Sequence, residues 1–206
     1  MARLSVELNR FFFAEERAAK VTLQDILDLA GERTFGFLFV LLSIPSALPI
    51  PAPGYSVPFG IALFLLAVQL LVGRERPWFP QSWNKHQFEL KQVRGILKAG
   101  MPWLQRIESV SRPRLSYICQ SLPGRTVIGC AIALMAISMM IPIPGTNTLP
   151  AMGIFVTGFG LLDDDGVISL AGLVVCLMGL ALTSLILTFG YEAVKAGIEL
   201  IRNAVF

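Results

Sequence analysis

Of the 206 residues, 54% are hydrophobic and 15% are charged, whereas an ordinary soluble domain carries about 25% charged residues. This composition excludes a typical soluble globular protein and points to an all-α integral membrane protein forming a single membrane domain over residues 1–206. The net charge of +3 is unevenly placed: residues 1–34 hold five Lys/Arg and six Asp/Glu, residues 73–125 hold ten and three, and between Thr126 and Gly190 the charges are Asp163, Asp164 and Asp165.

The N-terminal stretch has a three-residue aromatic patch, Phe11 to Phe13, too short for the apolar core of a cleavable signal, which needs about 7–15 residues. Thr22 is placed to open a short helix, with Asp25 completing a cap of the capping-box kind. Leu23, Ile26, Leu27 and Ala30 follow at i, i+3, i+4 and i+7, one apolar stripe on a polar helix that Gly31 would end.

Five apolar runs come next: Phe35–Ile50 (16 residues), Val57–Val72 (16), Val127–Ile143 (17), Leu149–Leu162 (14) and Val167–Gly190 (24). A helix crossing a hydrocarbon core of about 30 Å needs about 20 residues, so the last run alone meets that length comfortably. The other four form two pairs, joined by the elbows "PIPAPGYSVP" (Pro49–Pro58) and "IPIPGTNTLP" (Ile141–Pro150).

Between the pairs, Gln87–Glu108 places Val93, Ile96, Leu97, Met101, Leu104 and Ile107 at helical spacing among Lys91, Arg94, Lys98 and Arg106. Those charges make a span expensive, at about 2.5–3.5 kcal/mol each, so a helix along an anionic membrane surface is expected. Trp78, Trp83 and Trp103 suit the same interface.

The two halves align at an offset near 92. Leu23, Ile26, Leu27 and Ala30 match Leu115, Ile118, Cys119 and Leu122; Arg33-Thr34 matches Arg125-Thr126; Pro51, Pro53 and Gly54 match Pro142, Pro144 and Gly145; Pro58 matches Pro150. The order amphipathic helix, Arg-Thr, apolar run, elbow, apolar run predicts an internal repeat, about 22–80 and about 114–190, with a basic connection over 73–125.

Each elbow is either a tight surface turn or a re-entrant break below the membrane surface. In the second case the backbone must be buried in protein or face a water-filled cavity, and paired interrupted segments point to a transporter-like binding site. The candidate binding residues are Pro51, Pro53, Gly54, Ser56, Pro142, Pro144, Gly145 and Asn147, with Arg33 and Arg125 as anchors for lipid or as forks for an anionic head group or carrier phosphate. Asp163-Asp164-Asp165 is a solvated turn or a cation or proton site; Arg74-Glu75-Arg76 occupies the matching place in the first half, so the acidic feature is not duplicated.

No catalytic constellation, phosphate loop or metal-ligand motif appears, so no cofactor, no metal and no enzymatic activity are expected. His86 reads as a surface residue, and Cys119, Cys130 and Cys176 as small buried hydrophobes. The basic excess places the central connection on the cytoplasmic side of a multi-pass protein. Expected partners are membrane lipids and their anionic head groups, a homo-oligomer is compatible with the pattern, and nucleic acid is not expected.

The stretches "GERTFGFLFVLLSIPSALPIPAPG" (Gly31–Gly54), "GRERPWFP" (Gly73–Pro80), "MPWLQRIESVSRPRL" (Met101–Leu115) and "GRTVIGCAIALMAISMMIPIPGTNTLPAMGI" (Gly124–Ile154) together resemble the ExoD family of bacterial membrane proteins. The resemblance spans roughly residues 20–190 and implies a bacterial inner-membrane location and a link to exopolysaccharide synthesis. It implies no reaction and no catalytic residues. The function expected on this basis is binding or moving a small solute, ion or lipid-linked intermediate; the rival is a scaffold or regulator of other membrane proteins.

Overall fold

The computed structural model describes residues 33–47, 56–79, 111–141 and 147–190 continuously, together with 20–22, 87–89 and single positions within 6–12, 94–109 and 196. The described fold is helical apart from one small ribbon. In chain order the elements are β1 (Lys20–Thr22), α1 (Thr34–Ala47), α2 (Ser56–Leu71), β2 (Gln87–Glu89), α3 (Ser116–Gln120), α4 (Leu122–Met140), α5 (Thr148–Leu162) and α6 (Gly166–Phe189). Each long helix coincides with one apolar run to within a few residues, because such a run satisfies its backbone internally only as a helix when no water is at hand.

Helix α4 starts at Ser121, whose hydroxyl accepts from the Gly124 N–H at 3.3 Å, with proline in the first turn. Helix α6 starts at Asp165, whose carboxylate accepts from the Val167 and Ile168 N–H groups. At the other end of the scale, α1 has 14 residues and α5 has 15, about 21 and 22 Å of helix. Two helices, α4 with 19 residues and α6 with 24, are long and apolar enough to cross a membrane.

Helices α1 and α5 form the central pair and are buried on most sides. Helix α6 covers the other face of α5, and α2 packs against α4 beside them. Contacts within each sequential pair, α1 with α2 and α4 with α5, are much less extensive than the crossed contacts. Helices α1, α4 and α6 start, and α2 and α5 finish, at the same end of the bundle.

Apolar attraction alone does not hold helices together in lipid, where close packing of small residues does. A Cβ on Gly36 would lie 2.5 Å from the Leu162 backbone nitrogen, so α1 and α5 touch backbone to backbone there. On α6 the inward face is Ser169, Gly172, Cys176, Gly179 and Thr183, while Leu170, Val174, Leu177 and Met178 point outward and exposed. An outward apolar face of this kind suits lipid rather than water.

Two local expectations differ from the structure. The first residues of the Gln87–Glu108 stretch are strand: β2 pairs antiparallel with β1 (Lys20 opposite Glu89). Pairing with a segment 67 residues away overrides the local helical pattern there, since a strand needs its partner and sequence periodicity does not report one. Thr22 ends β1, and the helix it is expected to open lies outside the described residues. Farther on, Arg94, Gly95, Lys98, Met101, Gln105, Arg106 and Ser109 are helical, as the spacing predicts. Cys119 and Cys176 are buried, but Cys130 is exposed on α4, so it is not the buried hydrophobe expected. His86, Trp83, Trp103 and the 23–32 segment lie outside the described residues.

Candidate functional site

The charges of the bundle gather at one end. Arg33 precedes α1, Arg125 lies in the first turn of α4, Arg74-Glu75-Arg76 follows α2, and Asp163-Asp164-Asp165 follows α5. Helices α1, α2, α5 and α6 contain no charged residue, and α4 contains Arg125 alone. Among the described residues, the opposite end, where the elbows join the helices, carries none.

A cavity of about 510 Å³ opens at the charged end. Arg33, Arg76, Arg125, Glu75, Asp164 and Gln120 form its polar lining, and Phe35, Gly36, Leu70, Leu161 and Cys119 its apolar part. It therefore brings together the two Arg-Thr arginines, which are 92 positions apart in the chain.

The arginines are held by the turn that ends the crossed partner helix. Arg33 forms ion pairs with Asp163 (3.9 Å) and Asp164 (3.7 Å) after α5. Arg125 donates from Nη2 to the Arg74 carbonyl oxygen (2.9 Å) after α2. The two turns share one backbone. The Arg74 N–H reaches back to the Gln69 carbonyl (3.2 Å) and the Asp165 N–H to the Gly160 carbonyl (2.9 Å), the long hydrogen bond of a Schellman cap. The preceding residues, Gly73 (φ 80°) and Asp164 (φ 54°), are both left-handed, a conformation that glycine accepts freely and that aspartate tolerates better than most residues.

Asp165 is almost fully buried, 1% exposed, and its carboxylate is committed to backbone. Beside the two N–H groups of α6, Oδ2 accepts from the Arg112 N–H at 2.9 Å. The three aspartates thus divide their work: two face Arg33 and the third caps a helix. Among the described residues, no group of three or more His, Cys, Asp or Glu converges as a metal site would.

Cys119 lies at the cavity floor, its Sγ 3.3 Å from the Ser169 hydroxyl and donating to the Gly160 carbonyl. Burial pushes its thiol above the usual range, opposed by the Ser169 hydrogen bond and assisted by the nearby Asp164 and Asp165 charges.

The elbow residues Pro51, Pro53, Gly54, Pro142, Pro144 and Gly145 lie outside the described residues; Ser56 and Asn147 lie within them. Ser56 is buried at the start of α2, and Asn147 precedes α5. The Asn147 Oδ1 and Ser46 Oγ atoms are buried without a hydrogen-bond partner among the described residues. Nearby, Ser138 and Thr183 join α4 to α6 through a 2.7 Å hydrogen bond. Sequence reading missed Arg76, Glu75, Gln120 and Cys119 as cavity residues. The available signal was the opposite charge after the two paired helices, Arg74–Arg76 after α2 and Asp163–Asp165 after α5, although the cap hydrogen bonds align only Arg74 with an aspartate, Asp165.

A helical bundle with a lipid-suited surface, charged at one end and bearing a polar cavity there, is the class of protein this geometry defines. The family model described as "Exopolysaccharide synthesis, ExoD" matches residues 4–185, and the chain belongs to the ExoD family. It is 53% identical over 190 residues to an uncharacterized protein of Synechocystis, covering 92% of this chain and 90% of that one. It is 27% identical over 187 residues to Protein ExoD of Rhizobium meliloti, covering 89% and 76%. No solved structure matches. Membership implies involvement in exopolysaccharide synthesis.

Proposed function

We propose that this chain is a multi-pass inner-membrane component of exopolysaccharide synthesis that binds a small solute or the head of a lipid-linked intermediate in the cavity between Arg33 and Arg125. The observation that carries this reading is that one cavity collects both arginines of the repeated Arg-Thr pair. A guanidinium supplies several donors in a fixed fork, suited to an oxyanion, and the apolar lining accommodates a chain or ring attached to it.

The repeat is supported by the crossed packing. The first helix of each half lies on the second helix of the other, α1 on α5 and α2 on α4, and each arginine docks on the turn that ends its crossed partner. In this reading the halves run parallel and share the cavity. The basic groups at that end favour a cytoplasmic position for it.

Elbows at membrane depth are supported by helix lengths. The Pro150 backbone lies against Gly179 of α6, and α6 continues ten residues beyond Gly179 to Phe189, about 15 Å. If α6 crosses the bilayer, α5 begins well short of its far end. The buried, unpartnered Asn147 and Ser46 oxygens and the uncharged elbows fit the same depth. Substrate movement between cavity and elbows is the transport form of this proposal.

The test is complementation of an exopolysaccharide-deficient deletion strain. Arg125→Gln and the cavity-filling Leu161→Trp are expected to abolish polymer output while the protein still inserts in the membrane, and Arg94→Gln/Lys98→Gln/Arg106→Gln is expected to be silent. The reverse pattern would establish the scaffold reading instead. Gly54→Cys and Gly145→Cys, probed with a membrane-impermeant thiol reagent, test elbow depth: rapid labelling from outside would make the elbows surface turns.

A further inference from the structure

The two halves of the cavity have the same backbone and different charge balance. On the α5 side, Arg33 meets two carboxylates of the turn, Asp163 and Asp164. By the shared cap hydrogen bonds, Gln69 corresponds to Gly160 and Arg74 to Asp165. Val72 and Gly73 therefore stand where Asp163 and Asp164 stand. Arg125, the counterpart of Arg33, finds a carbonyl oxygen there and no carboxylate.

Arg125 uses one hydrogen bond of the five that a guanidinium can donate. Arg76 lines the same half of the cavity and forms no ion pair or hydrogen bond among the described residues. Glu75 is the one carboxylate in this half, and among the described residues it forms no ion pair with either arginine. The half-site therefore keeps a net positive charge and several free donors, in a cavity whose lining also includes Phe35, Leu70 and Leu161.

We infer that a phosphate-class anion binds between Arg125 and Arg76, in the place that Asp163 and Asp164 hold for Arg33 in the other half. This rests on the cavity being the ligand site, and adds the ligand's charge and its side. Two arginines lining one cavity are suited to a tetrahedral oxyanion, which accepts several charge-assisted hydrogen bonds at once. Arg33 is already neutralised and serves as the built-in comparison. The same anion chemistry is offered by a free phosphate and by a phospholipid or lipid-carrier head group.

The full chain in phosphatidylcholine nanodiscs is titrated with inorganic phosphate, and a second arm measures retention of phosphatidic acid by native mass spectrometry. Binding in the first arm identifies a free anion; retention in the second without binding in the first identifies a head group. In whichever arm binds, Arg125→Gln and Arg76→Gln are expected to weaken binding at least tenfold, and Arg33→Gln less than threefold. Val72→Asp, at an exposed position, installs the missing carboxylate and is expected to weaken binding as much as Arg125→Gln. Equal losses from Arg33→Gln and Arg125→Gln, or an unchanged affinity in Val72→Asp, would overturn the half-site. Absence of binding in both arms would overturn it too, while the cavity reading would still stand if Leu161→Trp blocks polymer output.

Discussion

The turn after α2 and the turn after α5 fold alike and carry opposite charge. Both close a helix with a left-handed residue, Gly73 or Asp164, and a long hydrogen bond from the next N–H. One is followed by two exposed arginines, Arg74 and Arg76, and the other presents Asp163 and Asp164, with Asp165 buried as a cap. Backbone geometry at a helix end is set by a few local requirements that many side chains meet. The side chains there are free to diverge, so two similar frames can hold one neutral and one charged half of a single cavity.

The comparison is broken most severely through the packing that holds the halves together. Gly36 faces the Leu162 backbone, whereas a Cβ on Gly129, in the corresponding α4–α2 contact, would meet the Leu71 side chain at 3.0 Å. Side chains can turn aside and backbone cannot. Gly36→Ala is expected to cost about 3 kcal/mol and Gly129→Ala about 1 kcal/mol, read as loss of unfolding free energy in mixed micelles. Equal losses would mean that the two contacts are equally rigid.

A smaller effect separates Asp165 from its counterpart Arg74. The Asp165 carboxylate serves three backbone N–H groups, so Asp165→Ala is expected to cost about 2 kcal/mol by uncapping α6. Arg74 contributes its carbonyl to Arg125 and not its side chain, so Arg74→Ala is expected to be within about 0.5 kcal/mol of the parent. The same unfolding assay checks both.

The ion pairs of Arg33 are partly exposed and 3.7 and 3.9 Å long. The double change Asp163→Asn/Asp164→Asn is therefore expected to cost at most about 1 kcal/mol of stability. It should nevertheless release Arg33 from these two carboxylates and raise phosphate binding several-fold, bringing the two halves closer in charge. Unchanged binding would show that Arg33 is not oriented toward the cavity ligand. The smallest effect is expected at Ser138–Thr183: Thr183→Val should cost about 0.6 kcal/mol, the typical worth of such a bond between membrane helices.

Helix extents were nearly complete in the sequence. Val167–Gly190 became Gly166–Phe189, and Leu149–Leu162 became Thr148–Leu162, because an apolar run bounded by charge or proline leaves little freedom in where a helix ends. The candidate site was readable in part. Arg33 and Arg125 stand out by repetition, but repetition does not say that they line one cavity. Glu75 and Arg76 lie in a segment with no periodicity and Gln120 in a short helix, and their arrival at the cavity depends on which helix packs on which. The strand at Gln87–Glu89 was not legible, because its partner lies at Lys20–Thr22, beyond the reach of any local pattern.

By itself the sequence determined that the long apolar segments are helical, that they suit lipid, that Arg-Thr and the elbows recur, and where charge is absent. Those properties follow from local composition and spacing. Tertiary structure alone decided that the helices pair crosswise, α1 with α5 and α2 with α4. That choice rests on close backbone approach at small residues such as Gly36 and Gly158, a matter of shape between distant segments. It is what brings two arginines far apart in the chain to the lining of one cavity.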